Sequence, residues 1–169
     1  MHDRGLFWTP ASFECFSAPD VAISLARGLR QTLVSGVHPL AAPLCKNLAP
    51  PVGFSAIASG PTYAVAVARD RLLVVSENPI EAREGWDAAT ATALTHVDDA
   101  WLVLDLEGPG LEDLIAKATS QTFADASPSA SLLFAGLPCV AYRYELASRL
   151  RLHIERPLAA AFAEWAARA

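Results

Sequence analysis

The fold of this 169-residue chain is decided by a stretch that occurs twice, first as Arg71-Leu-Leu-Val-Val-Ser-Glu-Asn-Pro79 and again as Arg149-Leu-Arg-Leu-His-Ile-Glu-Arg-Pro157. The two copies match at Arg, Leu, Glu and Pro, and each is an extended run that ends at a proline. Two further proline pairs keep the same order along the chain: Pro19 with Pro109, and Pro61 with Pro138. The copies lie further apart than the about 20–50 residues of a solenoid repeat, so we expect a pseudo-symmetric pair sharing one core.

Each copy predicts the element order β-α-β-β-β-α, with repeats at about 12–94 and 95–169 inside a single domain, 1–169. In the first repeat we expect strands at residues 12–17, 53–59, 62–69 and 71–76. Helices are predicted to begin at Pro19, with Val21, Leu25 and Leu29 on one face, and to run from Pro79 to about Ala93. The prolines in residues 33–52 predict a long irregular connection.

The second repeat shows clearer patterns. Residues 101–106, Trp-Leu-Val-Leu-Asp-Leu, lack alternation and indicate a strand in the middle of a sheet. Residues 131–135, 139–145 and 149–155 predict three more strands after an exposed loop at 119–130. Two helices are expected from their apolar stripes: Leu111, Leu114, Ile115 and Ala118, then Leu158, Phe162 and Trp165. The predicted fold class is therefore α+β, a pseudo-two-fold duplication with mostly antiparallel sheets and helices packed on them.

Composition excludes several classes of function. Apolar residues are 53% and charged residues 18%, so we expect either a large core or a surface covered by a partner. The formal net charge is −5 and the basic residues are scattered, which argues against a nucleic-acid ligand. Prolines and Lys46 interrupt the longest low-charge stretch, residues 33–69, so no membrane helix is predicted.

Residues 1–8, Met-His-Asp-Arg-Gly-Leu-Phe-Trp, do not resemble a signal peptide, because an acid neighbours the only Arg and no sustained apolar segment follows. Cys15, Cys45 and Cys139 are odd in number and widely spaced, which suits reduced thiols in the cytoplasm. We therefore expect a cytoplasmic protein.

Candidate reactive residues are few. Cys15 and Cys139 lie in apolar strands and are expected to be buried and inert, whereas Cys45, beside Lys46 in the proline-rich loop, is the best candidate for an exposed and somewhat activated thiol. The four histidines, which are His2, His38, His96 and His153, have no paired spacing and predict no metal site. The sequence therefore indicates no catalytic residue and no metal ligand.

Acidic residues cluster around the start of the second repeat, at Asp98, Asp99, Asp105, Glu107, Glu112 and Asp113. Glu112 and Asp113 fall in the first turn of a helix, where negative charge is favourable. Gly108-Pro109-Gly110 lacks the spacing of a phosphate loop and predicts a turn that opens that helix. Asp105 interrupts an apolar strand, so we expect it to be exposed or held by a hydrogen-bonding partner such as an Arg.

Residues 95–118, Thr-His-Val-Asp-Asp-Ala-Trp-Leu-Val-Leu-Asp-Leu-Glu-Gly-Pro-Gly-Leu-Glu-Asp-Leu-Ile-Ala-Lys-Ala, resemble the gamma subunit of heterotetrameric sarcosine oxidase. More distantly they resemble the folate-binding domain of the glycine-cleavage aminomethyltransferase. Residues 149–169 are similar to the terminal strand and aromatic helix of that gamma subunit. The resemblance covers about residues 70–169 and implies two units packed as a pseudo-two-fold pair.

Three functions remain open at this stage. The resemblance implies a noncatalytic subunit of a secondary-amine-oxidising, folate-linked complex, in which flavins, NAD and folate belong to companion chains and this chain carries no cofactor of its own. The alternative is a stand-alone folate-binding or one-carbon-transfer protein, so folate is a possible ligand. The third is a small homo-oligomer without a ligand.

Overall fold

The structure, a computed structural model, describes residues 15–122 and 127–169. Within them the first part of the chain has two 3-10 turns, Pro39–Ala41 and Pro43–Cys45, and no α-helix. Its strands are β1 (Cys15–Ala18), β2 (Val21–Leu25), β3 (Arg30–Gly36), β4 (Ile57–Ala58), β5 (Thr62–Ala68), β6 (Arg71–Ser76), β7 (Gly85–Asp87) and β8 (Thr92–His96). The second part contains β9 (Trp101–Glu107), α1 (Leu111–Ala118), β10 (Ser131–Phe134), β11 (Leu137–Tyr144), β12 (Leu146–Glu155) and α2 (Ala159–Ala166).

The strands form two sheets. Sheet 1 has the order β1-β2-β9-β12-β11-β10, with β4 added beside β11. Sheet 2 has the order β5-β6-β3-β8-β7. All named pairs are antiparallel except the short parallel pairing of β4 with β11, which agrees with the predicted mixture of helices and mostly antiparallel sheets.

The two sheets share a strand order. From one edge, sheet 2 runs β7-β8-β3-β6-β5, and sheet 1 runs β1-β2-β9-β12-β11 before it adds β10. The corresponding strand pairs β5–β6 and β11–β12 each have a register shift, near Ala66 in β5 and near Arg143 in β11. This correspondence supports a duplication, but the one-domain description and the repeats at about 12–94 and 95–169 stay predictions.

Three apolar cores hold the layers together. The first lies between sheet 1 and the helices, where Leu152 and Ile154 meet Leu114 of α1 and Phe162 of α2. The second lies between the sheets and joins residues of both, including Val65, Val75, Val140 and Tyr142. The third lies on the outer face of sheet 2, where short segments around Cys45 and Ile80 pack against the strands and no long helix does. Each fully buried Leu, Ile or Phe stabilises the fold by about 1.5–3 kcal/mol.

The predicted helix from Pro19 is wrong. Pro19 and Asp20 form a two-residue turn between β1 and β2, with Asp20 at φ +56°. The residues that follow alternate between buried and exposed, which is the period of a strand. Proline with a short polar residue is favourable both at a helix start and in a tight turn, and here the sheet pairing of β2 with β9 decides in favour of the turn.

The predicted helix from Pro79 to Ala93 is also wrong, because that segment contains β7 and the start of β8. Gly85 adopts φ +111° and Ala91 adopts φ +52°, which no α-helix accommodates. Asp87 accepts hydrogen bonds from the Ala89 amide and the Thr90 hydroxyl, so its side chain stabilises a turn that competes with the helix.

Two boundaries in the first half need correction. The irregular connection predicted at 33–52 begins later, because β3 continues to Gly36, before the first proline. The strand predicted at 53–59 is reduced to β4, since residues 53–56 form a turn. The first predicted strand, at 12–17, lies partly outside the described residues, and β1 begins at Cys15.

The second half follows its predicted order of strand, helix, three strands and helix. β9 lies between β2 and β12, as the continuous apolar run indicates. Gly108 and Gly110 open α1, and both lie against the β1–β2 turn. A Cβ on Gly108 would come within 2.2 Å of the Asp20 carbonyl oxygen, so only glycine fits there. Part of the loop predicted at 119–130 lies outside the described residues.

Candidate functional site

A bidentate salt bridge joins Asp105 of β9 to Arg151 of β12, which are paired across the sheet. The Arg151 Nε donates to Asp105 Oδ1 at 2.7 Å, and its second terminal nitrogen donates to Oδ2 at 2.8 Å. The Arg151 side chain is 6% exposed and the Asp105 side chain 17%. The prediction that Asp105 is either exposed or held by a hydrogen-bonding partner is confirmed, and the partner is Arg151.

Arg151 also connects the two sheets. Its remaining terminal nitrogen donates to the Tyr63 hydroxyl of sheet 2 at 2.9 Å, and its guanidinium lies 3.5 Å from the centre of the Tyr144 ring. A cation above an aromatic face is attractive, and more so when both are shielded from water. The charge on Arg151 is therefore stabilised by a carboxylate, a hydroxyl and a π face.

The hydrogen bonds continue from Tyr63 through the core. The Tyr63 and Tyr142 hydroxyls are 2.9 Å apart, and the Tyr142 hydroxyl is 2.7 Å from His153 Nε2. His153 Nδ1 is 2.7 Å from the Gln31 side-chain oxygen, and the Gln31 amide nitrogen donates to the Trp101 carbonyl oxygen at 3.4 Å. We call this set the buried polar chain: Asp105, Arg151, Tyr63, Tyr142, His153 and Gln31.

The chemistry of the donors fixes the direction of every bond. The Gln31 oxygen only accepts, so His153 Nδ1 carries the proton, and in the neutral ring Nε2 must accept from Tyr142. Tyr142 has then used its proton, so its oxygen accepts from Tyr63, whose oxygen accepts from Arg151. All donors point from Arg151 towards Gln31, and no hydroxyl proton in the chain is left without an acceptor.

Burial keeps the side chains of the buried polar chain in this single protonation state. Desolvation, followed by the charge of Arg151, lowers the pKa of His153 to about 3, so its ring is neutral near pH 7. Desolvation also raises the pKa of Tyr142 well above its ordinary value, and that of Tyr63 as well. Burial alone would lower the pKa of Arg151, but the bonds to Asp105 and the nearby tyrosines outweigh it and the pKa is raised.

This arrangement resembles a catalytic relay but lacks access. His153 and Tyr142 are 0% exposed and Gln31 is 2% exposed, so no substrate atom reaches them in this conformation. The hydroxyls of Tyr63 and Tyr142 and both ring nitrogens of His153 are already bonded to other side chains of the network, so none of them is available to a substrate. Its contribution is to hold the two sheets in one register.

The sequence did not predict most of the buried polar chain. Arg151 and His153 alternate with Leu150, Leu152 and Ile154, so one side of β12 is polar although both sides are buried. That pattern is a signal for a polar interface between two sheets. Tyr63 and Gln31 carried no comparable signal, because their role depends on which strands face each other.

The predicted thiols behave differently from each other and from expectation. Cys139 is buried, as expected, and desolvation followed by the charge of Glu155 raises its pKa to about 12. Cys45 is 3% exposed and burial raises its pKa, so its prediction as an exposed, activated thiol is wrong. A 3-10 turn places it against the outer face of sheet 2. The side chain of Cys15 and all of His2 lie outside the described part.

The predicted acidic cluster is divided among separate structural contacts. Asp98 accepts from the Gln31 backbone amide at 2.6 Å. Glu112, in the first turn of α1, pairs with Arg143 at 2.5 Å, and Asp113 stays exposed in the same turn. His96 bonds Thr32 and the Ala82 carbonyl oxygen. Among the described residues no three His, Cys, Asp or Glu side chains are grouped as a metal site.

A cleft of about 940 Å³ opens on the outer face of sheet 2, and we call it the sheet 2 cleft. Leu44, Ile80 and Leu94 supply its apolar wall. Its charged residues are Glu81, Arg83, Glu84 and Asp87. Trp86 of β7 pairs with Ala93, so its side chain lies on the other face of the sheet from Leu94, although the residue is 65% exposed. The volume of the sheet 2 cleft is typical of a binding site.

The fold is one that solved structures share. A chain of the heterotetrameric sarcosine oxidase from Corynebacterium sp. U-96, solved in complex with pyrrole 2-carboxylate, matches 94% of this chain over 88% of its own length, with a TM-score of 0.68 and 15% identity. Aminomethyltransferase T of the glycine cleavage system from Bartonella henselae matches 88% of this chain with a TM-score of 0.50 and 14% identity.

These comparisons show that this chain shares its fold with both solved structures. This chain spans 45% of the aminomethyltransferase, so it corresponds to only part of that protein. No protein-family model matches the sequence, and no curated protein matches it. Within the described residues no helix is long and apolar enough to cross a membrane.

Proposed function

We propose that this chain is a noncatalytic subunit, similar to the gamma subunit of sarcosine oxidase, in a secondary-amine-oxidising, folate-linked complex. The observation that carries the proposal is the extent of the structural match. It covers 94% of this chain and 88% of a chain from a heterotetramer, so the two are alike over almost their whole lengths. The match covers only 45% of the aminomethyltransferase, so that protein contains a large part with no counterpart in this chain.

The chemistry of the described residues supports a noncatalytic role. In the extended network that contains Asp105 and Arg151, the histidine is fully buried and held neutral. Cys45 and Cys139 are buried with raised pKa values, so neither is prepared to act as a nucleophile. A catalytic group has to contact substrate, and burial keeps substrate away from His153, Cys45 and Cys139.

The described surface supports an association with companion chains. Six large apolar residues are exposed: Val37, Leu40, Ile57, Trp86, Leu133 and Leu146. Val37 is 77% and Leu40 51% exposed, and both line an apolar depression of about 400 Å³. Partners commonly cover such surfaces. On this proposal the flavins, NAD and folate reside in the companion chains, and the complex is cytoplasmic.

The test mixes the purified full-length chain with the flavoprotein amine oxidase subunits of the same organism. We expect a complex of fixed stoichiometry by size-exclusion chromatography with light scattering, and amine oxidation that depends on the flavoprotein. Genes for those subunits beside this one would support the choice of partner. The isolated chain should show neither flavin absorbance nor oxidase activity.

Titration calorimetry with tetrahydrofolate separates the main alternative. No heat with the isolated chain, together with a stable oxidase complex, would support the subunit role. Micromolar binding to the isolated chain would instead identify a stand-alone folate binder. Failure of every flavoprotein oxidase subunit to associate would overturn the proposal.

A further inference from the structure

The outer faces of the two sheets are covered unequally. α1 and α2 cover sheet 1, and Phe134 of β10 packs against both Phe162 and Trp165 of α2. The outer face of sheet 2 has two 3-10 turns, Pro39–Ala41 and Pro43–Cys45, and the extended segment 78–84. Short segments cover less of a sheet than packed helices do, and the uncovered part is the sheet 2 cleft.

The cleft lies between segments that correspond to the two helices. In the shared strand order β3 corresponds to β9, which α1 follows, and β6 corresponds to β12, which α2 follows. The segments after β3 and β6 supply Leu44 and Ile80, which border the cleft. Sheet 1 therefore carries two helices of its own where sheet 2 leaves an open, partly apolar surface.

The polar groups in the cleft do not require a small ligand. The Thr62 and Ser76 hydroxyls bond each other at 2.8 Å, and the Ser76 oxygen also accepts from the Asn78 amide at 3.1 Å. A small-molecule site normally presents a few polar groups that fix the ligand's orientation. Here those groups are already bonded, so the free surface is an apolar wall with a charged rim.

The charges of the rim determine which partner is compatible. Glu81, Glu84 and Asp87 carry negative charge, and Arg83 carries the one positive charge among the residues that line the cleft. Complementary potentials favour a partner with basic residues and disfavour an acidic one.

We propose that the sheet 2 cleft binds an amphipathic helix of a companion chain. The apolar stripe of that helix lies against Leu44, Ile80 and Leu94, and its Lys and Arg residues lie beside the carboxylates of the rim. The inference rests on the proposed subunit role, because it assigns one surface of that role to one kind of partner segment. It supplies sheet 2 with the helical cover that sheet 1 already has.

The probe is a synthetic helix of about 18 residues, long enough to be helical in isolation, with Leu on one face and Lys on the other. Its counterpart carries Glu in place of Lys. Calorimetry should show that the Lys peptide binds the full-length chain and the Glu peptide does not, with weaker binding as salt increases. Hydrogen exchange should show peptide-dependent protection at residues 78–94.

Two variants and two controls locate the contact. Ile80→Ala should weaken binding of the Lys peptide about tenfold, the range of a central apolar contact. Glu81→Lys should weaken it about threefold to tenfold and improve binding of the Glu peptide. Leu146→Ala and Glu155→Lys, at exposed positions away from the cleft, should leave the affinity within about twofold of the unmodified chain.

The outcomes separate this inference from the subunit proposal. An oxidase complex without peptide binding, or with equal binding of both peptides, would overturn only the assignment of the cleft. Peptide binding without any oxidase complex would overturn only the subunit proposal. A homodimer that Ile80→Ala dissociates would assign this surface to a second copy of the chain and refute the helix.

Discussion

Replacing Asp105 by Ala removes the carboxylate that neutralises a buried guanidinium. Arg151 is 6% exposed and would keep only the Tyr63 hydroxyl and the Tyr144 ring as partners. Removing one member of a buried pair costs about 3–5 kcal/mol. Since Asp105 is 17% exposed and Arg151 keeps two contacts, we expect a loss of about 3 kcal/mol, or about 6–12 °C in Tm for a domain of this size.

The measurement is urea unfolding at pH 7, followed by far-UV circular dichroism, on Asp105→Ala, Arg151→Met and the double variant. Because the double variant buries no unpaired charge, its loss should be smaller than the sum of the single losses by about 2 kcal/mol. Arg149→Ala is the matched control, since its bonds to Glu107 and Glu145 are with half-exposed carboxylates. It should lose at most about 1 kcal/mol.

Two results would refute this reasoning about the pair. One is an Asp105→Ala variant as stable as Arg149→Ala. The other is strict additivity of the two single losses, which would show that Asp105 and Arg151 stabilise the fold independently of each other.

Three further predictions concern the same interior and its surroundings. Tyr142→Phe should lower the free energy of unfolding in urea by about 1–3 kcal/mol, because it leaves His153 Nε2 buried without a donor. In the control Tyr144→Phe, the lost hydroxyl is 3.5 Å from its acceptor, so the free energy of unfolding should fall by less than about 0.5 kcal/mol. Equal losses would contradict the bond directions assigned to the buried polar chain. The pKa of His153 is about 3 in the folded state and about 6.5 in the unfolded state. The contribution of His153 to stability is therefore complete above about pH 6.5 and is lost as the pH falls towards 3, with a slope of up to about 1.4 kcal/mol per pH unit. His153→Gln should flatten this part of the pH profile, and an unchanged slope would refute the assignment. Gly108→Ala should destabilise the fold more than Gly28→Ala. Both glycines have positive φ, but of the two only Gly108 has a carbonyl oxygen within 2.2 Å of the added Cβ. Comparable thermal midpoints for the two variants would show that the β1–β2 turn shifts at little cost in free energy.

The second half of the chain was predictable because its signals are local and agree with each other. The stripe of Leu111, Leu114 and Ile115 has helical spacing, and a glycine turn precedes it. The first half was harder because its signals conflict. Val21 and Leu25 share one face of a helix, yet Val21, Ile23 and Leu25 also share one face of a strand, and only the position of β9 decides between them.

The interior contacts show a different limit. The residue type at position 105 was enough to require a partner, since an isolated carboxylate in an apolar strand is unfavourable. The identity of that partner depends on the register of β9 against β12, and Tyr63 depends further on how the sheets face each other. Neither relation is encoded in neighbouring residues, so the buried polar chain could be anticipated only at one end.

The nesting of the two sheets along the chain has a consequence for how the protein folds. All strands of sheet 2, β3 and β5 to β8, lie between Arg30 and His96, with only the short β4 of sheet 1 among them. The other strands that sheet 1 adds to the hairpin β1–β2 begin at Trp101. During synthesis sheet 2 can pair all its strands before β9 leaves the ribosome, while the β1–β2 hairpin must wait for a distant partner. Pairing β2 with β9 closes a loop that contains all of sheet 2, and closure of long loops is entropically unfavourable and slow. Prior folding of sheet 2 shortens that loop in space, so the early sheet acts as the template on which the late sheet assembles.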